Sequence, residues 1–89
     1  MKSKLETVEE VILEDIDAVY EIAATLKNVM KVPGYITPVN CVTLEDSIID
    51  YYDLPERYFH DISSVDLRAI GYKILAAAEE HARQDGRDC

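Results

Sequence analysis

Eighty-nine residues, 48% of them hydrophobic, suit one domain with a single modest core and leave no room for a deep two-layer catalytic cleft. Eighteen acids against nine bases give a formal net charge of −9. That balance argues against direct nucleic-acid binding, which needs clustered Lys and Arg, and favours a larger protein with a basic surface as partner.

Leu5, Val8, Ile12, Ile16, Val19, Ala23, Leu26 and Met30 recur at steps of three and four. The spacing predicts one long amphipathic helix over about 4–31, opened by Ser3 and Glu6 in the S-x-x-E pattern and stopped by Pro33-Gly34. VPGYITPVNCV follows, with prolines and a glycine in neither period, and reads as a loop that includes Cys41. Thr43, with Asp46 three positions on, opens a short helix over about 44–52. DLPE repeats the device for another over about 55–60: Asp53 caps, Pro55 sits in the first turn and Glu56 reaches back. Ser63 caps the last helix, over about 64–84, whose apolar line is Leu67, Ile70, Ile74, Ala77 and Ala78 and which ends before Gly86. A mid-helix glycine, Gly71, costs roughly 1 kcal/mol against alanine, which close approach of another helix would offset. The expected fold class is therefore all-α: a small helical bundle of about four helices in one domain, 1–89, with the two long helices packed together and the two short ones closing the end.

Residues 6–21, ETVEEVILEDIDAVYE, hold seven acids and no base. On one continuous helix Glu6, Glu10, Glu14, Asp17 and Glu21 fall opposite the apolar line and form a stripe roughly 22 Å long at 1.5 Å per residue. Like charges at i,i+4 each destabilise a helix by roughly 0.2–0.5 kcal/mol. Acids in a first turn favour the helix dipole, which accounts for Glu6 and Glu9 but not for Asp17 and Glu21 on a helix that starts at residue 4. A second concentration places Asp46, Asp50, Asp53 and Glu56 among Tyr51, Tyr52 and Tyr58, with Arg57 as the one base between 45 and 66. Tyrosine is enriched at interface hot spots, although such rings also serve as core in a small domain. These twelve residues are the candidate partner-binding set. Val11, Ala18, Ile22 and Val29 make a second apolar line beside the first, so the long helix is either wrapped centrally by the others or pairs with a second copy through that line.

Other chemistry finds little support. Asp46-Ser47-Ile48 is similar over three residues to the phosphopantetheine attachment site of acyl carrier proteins, but Leu44-Glu45 replace its glycine and Pro55 interrupts the helix that would follow. His60 beside Asp61, near Ser63, lacks the separation in sequence that usually supplies triad geometry. Cys41 and Cys89 show no CxxC spacing and no histidine pair, so no metal or cofactor is expected and a reducing compartment is. The start MKSKLETVEE turns acidic where a signal peptide would turn apolar, and no run approaches a membrane span, giving a cytoplasmic expectation. The pattern points to a non-enzymatic inhibitor that fills a basic protein groove as a nucleic-acid mimic. It is similar in size and charge alone to phage anti-defence proteins such as anti-CRISPR inhibitors and to immunity proteins. The alternative is a helical homodimeric assembly or regulatory module.

Overall fold

The apolar line through residues 5–30 is carried by two helices and not one. In the computed structural model, which describes residues 4–87, the elements are α1 (Lys4–Glu14), α2 (Ile16–Val29), α3 (Pro38–Tyr52) and α4 (Ser64–Arg87). No strand occurs among the described residues, so the all-α bundle is the architecture. Asp15 makes the break. Its N–H donates to the Ile12 carbonyl at 3.0 Å, closing α1 with a tight i−3 bond, and its own backbone is extended at φ −105°, ψ 94°. Its carboxylate then accepts the Ala18 N–H at 3.3 Å, an N-cap that satisfies one of the donors left open at the start of α2. The predicted cap at Ser3 lies outside the described residues.

The expected loop over 32–42 is shorter than its prolines suggested, because Pro38 occupies the first position of α3, where its missing N–H costs nothing. Thr37 is the cap: its hydroxyl accepts the Asn40 N–H at 3.1 Å while the Asn40 side-chain oxygen accepts the Thr37 N–H at 3.0 Å. The capping box is thus formed by Thr37 and Asn40, not by Thr43 and Asp46. Asn40 is buried, and its amide also donates to the Val29 carbonyl at 3.2 Å, tying the start of α3 to the end of α2. Cys41 consequently sits on a helix and in the core, its thiol donating to the Ser64 carbonyl at 3.6 Å.

Asp53 does not open a helix; it closes α3 in the left-handed conformation, φ 53°, ψ 51°, with both its N–H and that of Leu54 directed to the Ile49 carbonyl. The predicted helix over 55–60 is instead a series of turns, Tyr58 to Pro55, His60 to Arg57 and Ile62 to Phe59, that drops Phe59 into the core. Ser63 caps α4 through the Asp66 N–H at 3.3 Å, and the helix continues past Gly86.

α2 is the central element, burying Ala18, Val19, Ile22, Ala23 and Leu26 against α1, α3 and α4. α1 adds Val8 and Ile12, and it packs on α4 as well as α2, so the expected pairing of the two long segments holds with a turn in the first. What approaches Gly71 most closely is a connection and not a helix backbone: a Cβ there would lie 2.7 Å from Ile36 Cδ1 and 3.1 Å from Leu44 Cδ2. Ile36 is held in place by its N–H, which donates to the Tyr72 hydroxyl at 3.0 Å.

Candidate functional site

Asp15 organises one end of the molecule as well as the break in the chain. The Tyr52 hydroxyl donates to its second carboxylate oxygen at 3.4 Å, which brings the last turn of α3 to the junction between α1 and α2. Burial first, and then the Asp15 charge, push the Tyr52 hydroxyl up to about 12. The length of the Tyr52 side chain thus ties the C-terminal end of α3 to the junction where α1 ends and α2 begins, although the α1 and α3 backbones do not pack on each other. A C-terminus is the negative end of a helix dipole and favours Lys, Arg or His nearby, each worth about 0.3–1 kcal/mol at the surface. Neither α1 nor α3 has a base in its last turn. Glu14 is the final residue of α1, Asp50 lies in the last turn of α3, and Asp53 is the α3 cap, all three exposed.

The break changes what Asp17 means. It stands in the first turn of α2, where the dipole favours it, as Glu6 stands in the first turn of α1. The continuous stripe is accordingly a correction: Glu6, Glu10 and Glu14 ride one helix, Asp17 and Glu21 another, all exposed. Glu9 is neutralised by Lys73 at 2.6 Å.

α3 runs back along α2, since Asn40 near its start holds Val29 and Asp50 near its end faces Glu21. Between them lies an open groove of about 250 Å³ lined by Glu21, Ile22, Thr25, Ser47, Asp50 and Tyr51. Tyr51 is half-buried, and its hydroxyl is held above the usual tyrosine range by burial and then by the charges of Asp15, Asp17 and Glu21. The structure thus joins the two acidic segments around one ring. Asp46, one turn before Asp50 on α3, is exposed as well. Among the described residues, Glu14, Asp17, Glu21 and Asp50 make no ion pair.

The other candidates are placed elsewhere. Tyr52 and Tyr58 border a separate apolar groove of about 230 Å³ with Val8, Val11, Ile12 and Leu54. Tyr58 is engaged within the chain: the Lys4 ammonium lies 4.8 Å from its ring centroid and donates to its carbonyl at 2.8 Å and to Asp61 at 3.4 Å. The Asp61 carboxyl is lowered by its own backbone N–H and then by Lys4. Glu56 is exposed on the turns. The proposed dimer line is broken up, because Ala18 and Ile22 are core residues of α2, while Val11 and Val29 remain exposed on different grooves. Sequence reasoning overlooked Asp15 as the organiser, because Ala18 stands at its third position where a capping box would show Glu or Gln.

Among the described residues no group of three His, Cys, Asp or Glu side chains is placed to hold a metal ion, and no helix is long and apolar enough to cross a membrane. Comparison of the chain with protein-family models, with curated proteins and with solved structures finds no match in any of the three.

Proposed function

We propose that the chain is a non-enzymatic binding protein whose acidic face, Glu14, Asp17, Glu21, Asp46 and Asp50 around Tyr51, occupies a basic surface of a larger cytoplasmic protein. The observation that carries this reading is the groove between α2 and α3 that brings Glu21 and Asp50 to the Tyr51 ring, at the end of α3 whose last turn has acids where the dipole favours bases. The carboxylates and the negative dipole end of α3 act in the same sense on an incoming Lys or Arg, and the half-buried Tyr51 that lines the groove supplies a ring as an anchor. Where the partner's surface normally holds DNA or RNA, the protein competes with phosphates and inhibits, in the manner of a phage anti-CRISPR or an immunity protein.

The test is affinity capture from the native host at low salt, with the wild-type chain and a Glu14→Gln/Glu21→Gln/Asp50→Asn variant as parallel baits. The expected result is a partner held by the wild type, released by salt or by added nucleic acid, and absent from the variant although the variant melts no lower. Equal recovery on both baits rejects the acidic face.

A further inference from the structure

α1 is lightly committed to the core. It buries Val8 and Ile12 where the slightly longer α2 buries Ala18, Val19, Ile22, Ala23 and Leu26, and toward Tyr52, Leu54 and Tyr58 it leaves an open groove of about 230 Å³. Among the ties that hold it, Lys4 to the Tyr58 carbonyl and to Asp61 and Glu9 to Lys73 lie at the surface. A single residue joins it to α2. Asp15 alone is non-helical between Glu14 and Ile16, at φ −105°, ψ 94°, and the apolar line Val8, Ile12, Ile16, Val19 runs past it at helical steps. The spacing does not demand a bend. Asp15 holds it, with the Ala18 N–H on one carboxylate oxygen and the Tyr52 hydroxyl on the other. Were Asp15 helical, the N–H groups of Ile16, Asp17 and Ala18 would meet the carbonyls of Ile12, Leu13 and Glu14, and two helix ends with their open backbone groups would disappear.

We propose that α1 is an exchangeable arm: α1 and α2 straighten into one helix at Asp15, and two copies of the chain swap their α1 segments. The occupant follows from the surface that α1 already covers. That site on α2 and α4 matches α1 contact for contact, and a second copy offers the same site. Straightening carries α1 away from its own α4, which uncovers Val8 and Ile12 and empties the place they fill. Reciprocal exchange buries both again in a closed dimer. The contacts of Lys4 with Asp61 and of Glu9 with Lys73 re-form between the copies. Monomer and dimer then differ chiefly at the hinge, where helical hydrogen bonds replace the Asp15 cap, and in the entropy of association, so concentration decides between them. The straight form also sets Glu6, Glu10, Glu14, Asp17 and Glu21 in one row roughly 22 Å long. Only the use of that row rests on the acidic face being a binding surface; the exchange does not.

Sedimentation velocity of the full chain incubated at about 1 mM tests this, with variants at the hinge. Ile16→Pro suits the bend, since proline is tolerated at a first helical position and Asp15 already has an extended backbone, but it breaks a continuous helix. The wild type is expected to form a dimer and Ile16→Pro to remain a monomer. Asp15→Ala should tighten the dimer at least about tenfold, because each dimer opens two capped hinges. Ile16→Ala, which loses the same side chain and keeps a helical backbone, retains the dimer; circular dichroism verifies the fold of every variant. Exchange itself is read by mixing Glu9→Lys with Lys73→Glu, one of them isotope-labelled. Each alone sets like charges together at the Glu9–Lys73 contact, and only a heterodimer with exchanged arms makes both contacts attractive again. Lys27→Glu in place of Lys73→Glu, the same charge change on an exposed site of α2, gives the heterodimer excess due to net charge alone. Native mass spectrometry should show the first mixture exceeding the second several-fold. A monomeric wild type, a dimer of folded Ile16→Pro, a dimer lost in Ile16→Ala, or equal heterodimer in the two mixtures overturns the proposal.

Discussion

Replacing Glu14 by Gln and Asp50 by Asn together keeps shape and removes two charges from the C-terminal turns of α1 and α3. Each acid opposes its helix dipole, at about 0.3–1 kcal/mol, and each follows another acid at i−4, Glu10 and Asp46, at about 0.2–0.5 kcal/mol. Both sites are exposed, which places them at the low end of these ranges, so the double variant is expected to gain about 1 kcal/mol. In a domain of this length that raises the melting temperature by about 4–8 °C. Thermal unfolding followed by circular dichroism at low salt measures the gain, and in about 1 M salt it should largely vanish because the Debye length is then about 3 Å. Asp17→Asn is the control of opposite sign: in the first turn of α2 its charge favours the dipole, so its removal costs about 0.3–1 kcal/mol, partly returned by relief from Glu21. A double variant that melts lower than wild type at low salt, or an Asp17→Asn that stabilises as much as the double, would refute the assignment of these acids to opposite ends of the helix dipoles.

Gly71→Ala gains about 1 kcal/mol of helix propensity but drives a methyl against the buried Ile36 and Leu44, an overpacking cost of about 1–3 kcal/mol, so a net loss is expected. Ile36→Val deletes the atom 2.7 Å away, so the two substitutions together should cost about 1 kcal/mol less than their separate losses predict; urea unfolding that finds additivity within about 0.3 kcal/mol contradicts the contact. Tyr52 titrates near 10 when unfolded and at about 12 when folded, so the folded state favours its protonated form. Its contribution is whole below pH 10 and is lost as pH rises toward 12. Tyr52→Phe should flatten the alkaline fall in stability between those limits, and an unchanged slope in melts across that range counts against the Asp15–Tyr52 contact.

Helical class and the cap at Ser63 were legible because apolar period and capping chemistry are local. The boundary at Asp15 was hidden for a physical reason: the step from Ile12 to Ile16 is an ordinary helical i+4, and a capping aspartate is inconspicuous among seven acids. The start of α3 was misread because Asn40 fills the place where Glu or Gln is usual in a capping box, and because Pro38 resembles a loop residue until it is seen at a first helical position. Asp53 followed by Leu-Pro looked like a helix start, yet its left-handed backbone ends one.

These boundaries decide the functional reading, since a carboxylate's effect on a helix depends on which end it occupies. Were residues 4–31 one helix, Glu14 would be an interior residue, nearly indifferent to the dipole, and Asp17 an unexplained one. The cap at Asp15 reverses them: Asp17 becomes favourable where it stands, and Glu14 becomes the terminal residue of a helix with no base in its last turn. The same cap accepts the Tyr52 hydroxyl and so ties the end of α3 to the junction of α1 and α2. One aspartate therefore concentrates on a single end of the fold the charge that the sequence spreads over two segments.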